Sequence, residues 1–467
     1  MNIQTDIRTD DTPIAEALSS FAAGLAHDSI PAEVRTRAVH HMLDAAGIAV
    51  ASTRYPFAHP VLAGLQALGD KGDVPVFGMA ARLSARDAAT MNGYLCHGLD
   101  YDDTHISGVV HPTASVLPAV FSAAAMTGAT GREMVTAFII GVETAARLGT
   151  CAQSAFHQVG FHPTGIVGIF GCVLAVGRLM GLNAQQLVHA QGLALSQASG
   201  SLQFLEDGAW NKRFHPGWAA QSALVACALA REGFHGAPAP YDGRFGFFNI
   251  FGGKFTDWVD LSYATRDLGA KWELMETGIK PFPTCHLTHA CIDAAITLSG
   301  KLDPAKIAKI EARVPEQAFT TVCEPATNKY RPTSDYDAKF SLVYLTACAL
   351  LKGRLTLDEL EPAYYTDTEI LTLTDKVTHA PYEDSPFPAA YSGHVRVIMQ
   401  DGTVLEADER VNRGAADRPL SNAEIVAKYR DNAALWAGPD KLAAMEAAML
   451  GLDDAENGAA ALAVFSA

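Results

Sequence analysis

Residues 160–177 have the sequence GFHPTGIVGIFGCVLAVG, in which a His-Pro pair precedes a long apolar run. Proline is favoured at the first position of a helix, where its missing N–H would lack a partner in any case. Gly165, Gly168 and Gly171 recur along the run at a spacing that allows close approach of neighbouring helices. The run is too short to span a bilayer. It therefore predicts a buried helix over residues 163–177, packed closely against other helices.

The same His-Pro pair occurs twice more, as HPT at residues 111–113 and HPG at residues 215–217. A histidine in this position is expected at the cap, beside unpaired backbone N–H groups and the positive end of the helix dipole. That field disfavours imidazolium and attracts anions. A neutral imidazole beside an anion can move a proton next to a carboxylate. We therefore predict three histidines at three helix starts around an anionic substrate.

Composition narrows the class of protein. The chain has 467 residues, of which 49% are hydrophobic and 18% charged, and its net charge is −16. This length allows two to four domain-sized units with a large core. The negative charge argues against nucleic acid and anionic membranes as partners. The eight cysteines form no CxxC pair, and the polar N-terminus predicts no signal peptide, so we expect reduced thiols in a cytoplasmic protein.

Periodicity changes twice along the chain. Residues 13–270 have a helical pattern, with the clearest helices predicted at 14–27, 31–51 and 132–148. Beyond residue 272, alternating residues predict strands at 310–314 and 395–399, a hairpin turn at 401–402 and one apolar helix at 339–351.

Helices resume after Pro419. Ser421 and Glu424 form a capping-box pattern, and another helix is predicted at 440–450. We therefore predict a mainly α fold, in which a large all-helical domain is formed by both chain ends (1–271 and 413–467). A smaller α+β domain (272–412) is inserted between them.

The segment Asp100-Tyr-Asp-Asp-Thr-His105 holds three carboxylates in four positions. Helical spacing would place Asp100 and Thr104 on one face, where Asp100 could orient His111 as a carboxylate does in a catalytic triad. One alternative is a magnesium site formed by Asp100, Asp102 and Asp103. Another is an acidic loop exposed to water.

Three further segments carry candidate residues. Lys212 and Arg213 precede Pro216 at a predicted helix start, where cations are unfavourable unless a bound carboxylate offsets them. The alternative is a pair of exposed basic residues.

His286 and His289 form an HxxH pair without an obvious third metal ligand, and they are reasonable residues for a cleft. Tyr330 and Arg331 follow, and Arg331 could bind a carboxylate through two hydrogen bonds.

The chain resembles the MmgE/PrpD family in collinear motifs over nearly its whole length. These are HGLDYDDTH, HPTASVLPA, GFHPTGIVGIFG, DGAWNKRFHPGWAAQSA, GFHGAP, KPFPTCHLTHA and YRPTSDYDAKFSL. The family includes 2-methylcitrate dehydratase, cis-aconitate decarboxylase and iminodisuccinate epimerase. The resemblance implies that the α+β domain is a lid over a cleft. It also implies a homodimer, which is usual in the family, and chemistry that uses no metal or organic cofactor.

Matched by motif, the family's site residues correspond to Asp100, Thr104, His111, His162, Lys212, His286 and Tyr330. The resemblance implies a lyase that transfers a proton at the carbon alpha to a carboxylate of a small polycarboxylate. His111 would carry the proton, with Asp100 and Thr104 positioning it. Lys212, His162 and Arg331 would bind carboxylates, and His286 and Tyr330 could protonate a leaving hydroxyl. His215 is expected to be only a helix cap.

Within the family a dehydratase like 2-methylcitrate dehydratase is the first expectation, and decarboxylation or epimerisation are the alternatives. A magnesium-dependent helical enzyme is a more distant alternative, as is a non-catalytic scaffold that has kept the fold.

Overall fold

The computed structural model describes residues 12–69, 71–207, 209–387 and 389–467, with only the backbone described at 206 and 207. The described chain divides into two units. The first comprises the residues up to Thr277 together with Ser421–Ala467, and the second is Gly278–Leu420. The predicted boundaries were residues 271/272 and 412/413. The fold is mainly α, as predicted. The lid role of the second unit stays a prediction.

The first unit begins with helices in chain order. They are α1 (Ile14–Gly24), α2 (Ala32–Ser52), α3 (Ala58–Leu68), α4 (Ala85–Cys96), α5 (Pro112–Thr127), α6 (Gly131–Cys151), α7 (Ala155–Val159), α8 (Pro163–Leu179), α9 (Ala184–Leu195), α10 (Phe204–Asp207), α11 (Asn211–Arg231) and α12 (Phe247–Gly252). Short strands accompany them: β1 (Lys71–Pro75), β2 (Arg82–Leu83) and β3 (Thr104–His105), with β4 (Thr277–Gly278) at the boundary between the units.

The second unit combines helices with one sheet. Its helices are α13 (His289–Leu298), α14 (Phe319–Val322), α15 (Ala326–Tyr330), α16 (Asp335–Lys339), α17 (Leu342–Lys352), α18 (Pro362–Tyr365) and α19 (Thr368–Thr374). Its strands are β5 (Ile307–Val314), β6 (Val377–Pro381), β7 (Gly393–Met399) and β8 (Val404–Glu409). The strand order is β6-β5-β7-β8, with β5 and β6 parallel and the other pairs antiparallel. The predicted hairpin is confirmed between β7 and β8.

The chain then returns to the first unit with α20 (Asn422–Ala433), α21 (Pro439–Leu450) and α22 (Gly458–Leu462). The predicted capping box is present, since Ser421 and Glu424 each bond to the other's backbone N–H. One predicted start is wrong: the helix expected from Lys339 begins at Leu342. The Ser341 side chain caps the N–H of Tyr344 there and separates α17 from the short α16.

The core of the first unit is formed by α4, α5, α6, α8 and α11. Helix α8 is buried from Pro163 to Gly177, as the sequence of residues 160–177 predicted. A Cβ added at Gly171 would lie 2.4 Å from the carbonyl oxygen of Gly141 on α6, so only glycine permits this approach. Helix α6 is long and apolar enough to cross a membrane, but 94% of its apolar window is buried inside the protein, as in a core helix.

Candidate active site

The acidic segment after α4 is a buried loop. Helix α4 ends at Cys96, and Asp100 has a φ of 54°, a left-handed conformation that aspartate tolerates better than most residues. The prediction that Asp100 and Thr104 share a helical face is therefore wrong, because the chain has left the helix before it reaches them. The alternative of an exposed loop is also wrong, since Asp100, Asp102 and Asp103 are 6%, 0% and 2% exposed.

Two of these carboxylates each hold a buried histidine. An oxygen of Asp102 lies 2.8 Å from Nδ1 of His97, and one of Asp103 lies 2.7 Å from Nδ1 of His41. Asp103 also accepts hydrogen bonds from the hydroxyl and the backbone N–H of Thr113, in the first turn of α5. These bonds offset the cost of burying the carboxylates and fix both rings.

His111 is the N-cap of α5 and Pro112 is its first residue, as predicted. Nδ1 of His111 lies 2.7 Å from the backbone oxygen of Asp103 and 3.1 Å from the hydroxyl of Thr104. A carbonyl oxygen can only accept a hydrogen bond, so Nδ1 carries the proton. In the neutral ring Nε2 therefore has the lone pair, which is what a proton carrier needs.

His162 is the N-cap of α8, also as predicted. The hydroxyl of Thr164 in α8 accepts a hydrogen bond from the backbone N–H of His111 at 3.1 Å, which joins the starts of the two helices. Nδ1 of His162 lies 2.9 Å from Nδ1 of His215. Burial and neighbouring cationic groups hold the pKa of His162 well below its usual range and lower the pKa of His215 to about 4. Both rings are therefore neutral near pH 7.

His215 is not a helix cap, contrary to the prediction. Helix α11 begins before it, so Pro216 lies inside the helix. Tertiary contacts hold this early turn: Nε of Arg213 donates to the carbonyl of Gly98 at 2.7 Å, and its guanidinium lies 4.3 Å above the ring of Phe57. These contacts explain why the helix begins before the proline, where the sequence pattern alone would end it.

Lys212 forms an ion pair with Asp100. Its Nζ lies 2.7 Å from a carboxylate oxygen, and the two side chains are only 14% and 8% exposed. Arg213 is buried as well. The alternative of two exposed basic residues is therefore wrong. Asp100 therefore supplies the negative charge that offsets the cations at this helix start. A substrate carboxylate that binds Lys212 would have to share the lysine with Asp100.

Three imidazoles converge where α4 ends and α5 and α8 begin. The ring centroids of His97 and His111 are 5.0 Å apart, those of His97 and His162 are 5.7 Å apart, and those of His111 and His162 are 6.2 Å apart. One ring nitrogen from each lies within 4.8 Å of the others. Sequence reasoning missed His97, although it is the first residue of the HGLDYDDTH motif, five positions before Asp102.

The magnesium alternative gains no support from this arrangement. Asp100, Asp102 and Asp103 interact with Lys212, His97 and His41 respectively. Magnesium prefers several oxygen ligands arranged as an octahedron. Within the described parts of the chain, the group that converges with metal-ligand spacing is made of histidines instead.

His105 supports the loop from its other end. Its Nε2 lies 3.0 Å from a carboxylate oxygen of Glu273, and its Nδ1 accepts the N–H of Gly108. Burial alone would raise the pKa of Glu273, but the hydrogen bond from His105 and the charge of nearby Lys271 outweigh this effect and lower the pKa to about 2.

The remaining predicted residues belong to the second unit. His286 is buried, with Nε2 2.7 Å from the Asn412 side-chain nitrogen and its ring 4.7 Å from that of His289. The hydroxyl of Tyr330 donates to the carbonyl of Val377 at 2.7 Å. The roles of His286 and Tyr330 stay predictions.

Arg331 is largely exposed and pairs with Asp375 at 2.8 Å. Sequence reasoning missed three buried lysines in this unit: Lys280, Lys329 and Lys339. Two of them have partners within this unit, since Lys329 donates to the carbonyl of Thr321 at 3.0 Å and Lys339 pairs with Asp335 at 3.2 Å. A single sequence offers no signal that distinguishes them from surface lysines.

The first unit thus combines neutral imidazoles, carboxylates that fix their tautomers and one lysine. Such a set can take up or deliver a proton beside bound negative charge.

Comparison with known proteins agrees with this chemistry. Residues 16–257 match the family model of the MmgE/PrpD N-terminal domain, and residues 282–454 match that of the MmgE/PrpD C-terminal domain. A cis-aconitate decarboxylase-like protein, oryM, of Aspergillus oryzae is 25% identical over 98% of this chain and 99% of its own length.

Two further relatives carry the names of different reactions. The cis-aconitate decarboxylase of Aspergillus terreus is 26% identical over 94% of this chain and 93% of its own length. The 2-methylcitrate dehydratase of Cupriavidus necator is 25% identical over 92% of this chain and 90% of its own length. Both names denote lyases.

Proposed function

The chain belongs to the MmgE/PrpD family, and from that premise we propose that it is a lyase acting on a small polycarboxylate. The observation that carries the proposal is the cluster of His97, His111 and His162. Nδ1 of His97 contacts a carboxylate, and Nδ1 of His111 contacts a backbone carbonyl. The substrate's reacting carbon would lie alpha to a carboxylate. Proton transfer there passes through an enediolate-like species, whose charge needs cationic and hydrogen-bonding partners.

His111 is the proposed proton carrier. The tautomer set by the backbone oxygen of Asp103 supports this role, and the partial exposure of the ring, 13%, gives a ligand access to it. A buried Asp102 oxygen lies 3.9 Å from the same ring and attracts the positive charge that appears when the ring takes up a proton. His162 is proposed as a neutral hydrogen-bond donor to substrate, and Lys212 as the cation for a substrate carboxylate.

Decarboxylation of an unsaturated tricarboxylate such as cis-aconitate is the proposed reaction. The bond to one carboxylate breaks and its electrons form a new double bond. The old double bond shifts its electrons to the carbon alpha to a remaining carboxylate. That carbon takes a proton from the imidazolium form of His111, whose Nε2 first takes up this proton from solvent, while carbon dioxide leaves. The alignments with the two decarboxylase-named relatives are stronger than that with the dehydratase, which supports this choice over the dehydration expected from sequence.

Dehydration is the second candidate, because a 2-methylcitrate dehydratase also aligns with most of the chain. The same side chains would then remove a proton from the substrate instead of delivering one. His111 would remove the proton alpha to a carboxylate, and an acid would protonate the leaving hydroxyl as water. His286 and Tyr330 are the proposed acids for that step. We also propose that the protein works as a homodimer in the cytoplasm and needs no cofactor.

One experiment separates these reactions. The protein is incubated in D2O with cis-aconitate, 2-methylcitrate, citrate or iminodisuccinate, and products are followed by NMR. Decarboxylation should release carbon dioxide and place one deuterium on the carbon alpha to a carboxylate of the product. Loss of water from 2-methylcitrate would favour dehydration, and inversion of iminodisuccinate would favour epimerisation. If none of the four is converted or raises the melting temperature, the non-catalytic scaffold becomes the better hypothesis.

A further inference from the structure

The cluster of His97, His111 and His162 has the features of a site for a transition metal as well as for proton transfer. One nitrogen from each ring lies within 4.8 Å of the other two. A zinc ion bound at about 2.1 Å from each nitrogen would place tetrahedral ligands about 3.4 Å apart. The ring nitrogens, now within 4.8 Å of one another, would therefore have to approach by up to about 1.4 Å.

Two of the three rings have the hydrogen-bond partners that are usual for metal-binding histidines. Nδ1 of His97 faces the buried carboxylate of Asp102, and Nδ1 of His111 donates to a backbone carbonyl. Histidines that bind zinc commonly donate their second N–H to such groups, which fixes the tautomer with the lone pair toward the metal. Nδ1 of His162 instead faces Nδ1 of another imidazole, that of His215, at 2.9 Å. In His97 the carboxylate thus engages Nδ1, and Nε2 is the nitrogen available to a ligand.

His97 provides an independent observation. The residue is 1% exposed, and its Nε2 has no hydrogen-bond partner within the described parts of the chain. A buried nitrogen without a partner is costly, and a bound cation would satisfy it.

We propose that His97, His111 and His162 bind one divalent transition-metal ion of the zinc type. Nitrogen ligands select zinc, copper or nickel over magnesium and calcium, which prefer oxygen. The ion would occupy the lone pairs that proton transfer uses, so metal binding and turnover exclude each other. This second part rests on the proposed function, whereas the binding itself does not.

Binding is tested first, without any substrate. Protein treated with a chelator and then freed of it is titrated with Zn²⁺ by calorimetry, and with Co²⁺ while the visible absorption is recorded. We expect one ion per chain, with a Co²⁺ band of tetrahedral intensity. His97→Ala should weaken Zn²⁺ binding by about 100-fold and abolish the band. Asp102→Asn should weaken binding by about 10-fold or more.

A matched control tests adventitious binding. His189 and His235 form a second pair of neighbouring rings, 5.0 Å apart, and neither belongs to the cluster. His235→Ala should leave the affinity unchanged. Equal affinities in wild type and His97→Ala, or loss of binding in His235→Ala, would overturn the proposal. If circular dichroism shows His97→Ala to be unfolded, the result for Asp102→Asn decides in its place.

Inhibition is measured separately. Because polycarboxylates bind Zn²⁺ themselves, turnover is plotted against the free Zn²⁺ concentration. It should fall over the range in which calorimetry shows binding, and a chelator should restore it. Full turnover with the site saturated would refute the exclusion while leaving the binding result intact. If no substrate is found, the proposed function fails while the binding experiment still stands.

Discussion

Lys428 in α20 forms a buried ion pair with Asp44 in α2, with Nζ 2.9 Å from the carboxylate across 384 positions of sequence. The same ammonium donates to the backbone oxygen of Tyr101 at 2.8 Å and lies 3.9 Å from the centre of that tyrosine ring. The C-terminal segment therefore supports the loop that carries Asp100, Asp102 and Asp103. Burial raises the pKa of Asp44, against the opposing effect of Lys428.

Replacing Lys428 by methionine should destabilise the protein. The substitution leaves a buried carboxylate and the Tyr101 carbonyl without their shared cation, and breaking such a pair costs about 3–5 kcal/mol. Urea unfolding followed by circular dichroism measures the change. The double variant Asp44→Asn/Lys428→Met should recover part of the lost free energy of unfolding. Lys71→Met, at an exposed position, is the control and should change the free energy of unfolding by less than about 0.5 kcal/mol. A Lys428→Met variant as stable as wild type would contradict the supporting role.

Replacing His111 by glutamine should reduce kcat by about 100-fold or more with a modest change in KM, because the proton carrier is lost and the binding groups remain. Steady-state kinetics on the substrate identified by NMR measures both. His235→Gln, at an exposed histidine, is the control and should retain full activity. An unchanged kcat in His111→Gln would exclude this residue as the proton carrier.

The sequence could predict His111 and His162 at helix starts because proline fixes the local backbone whatever surrounds it. The same rule failed at His215, where Arg213 holds an additional turn through contacts with Gly98 and Phe57. These partners are more than a hundred positions away in sequence, and local pattern does not report them.

The mainly α class could be predicted from the helical periodicity of residues 13–270 and of the segment after Pro419. The loop at 100–105 was harder to predict. Its helical spacing looked regular, but Asp100 has a left-handed conformation and pairs with Lys212, 112 positions away in sequence. His97 was missed because a single histidine at the end of a helix gives no periodic signal. Its role depends on three helices meeting in space.

Replacing Lys212 by glutamine should raise KM by about 10-fold or more, because hydrogen bonds to charged groups contribute about 1.5–3 kcal/mol. The effect on kcat should be smaller. Lys212→Arg should keep part of the affinity, and Lys254→Gln, at an exposed lysine, is the control. If Lys212→Gln has normal affinity and lowered thermal stability, the lysine serves only as the structural partner of Asp100.

Replacing Asp102 by asparagine should lower kcat by about 10-fold or more with little change in KM. Asparagine can still accept the His97 N–H, but the buried negative charge beside the imidazoles is lost. Asp102 is a positioning residue, so the pH profile of kcat should shift as well, which a purely structural defect would not cause. Asp28→Asn, at an exposed carboxylate, is the control. A fall in melting temperature with an unchanged pH profile would contradict the proposed role.

Glu273 should contribute stability that acid removes. Its pKa is lowered from 4.5 to about 2 in the folded protein. A lowered pKa means that the folded state prefers the ionised form. The contribution is therefore complete above about pH 5 and is lost as the pH falls through 4.5 toward 2. The size of the shift corresponds to about 3 kcal/mol at neutral pH.

The test compares wild type with Glu273→Gln by urea unfolding at pH 7, 5, 4 and 3. The glutamine variant should be less stable at pH 7, because it has lost the negative charge beside His105 and Lys271. The difference between the two proteins should shrink steadily below pH 5, because Glu273 in the unfolded wild-type chain then takes up a proton while the folded form stays ionised until about pH 2. Glu276→Gln serves as the control, since that carboxylate is largely exposed and should give no such trend. A difference that stays constant from pH 7 to pH 3 would show that Glu273 acts through packing and neutral hydrogen bonds rather than through its charge.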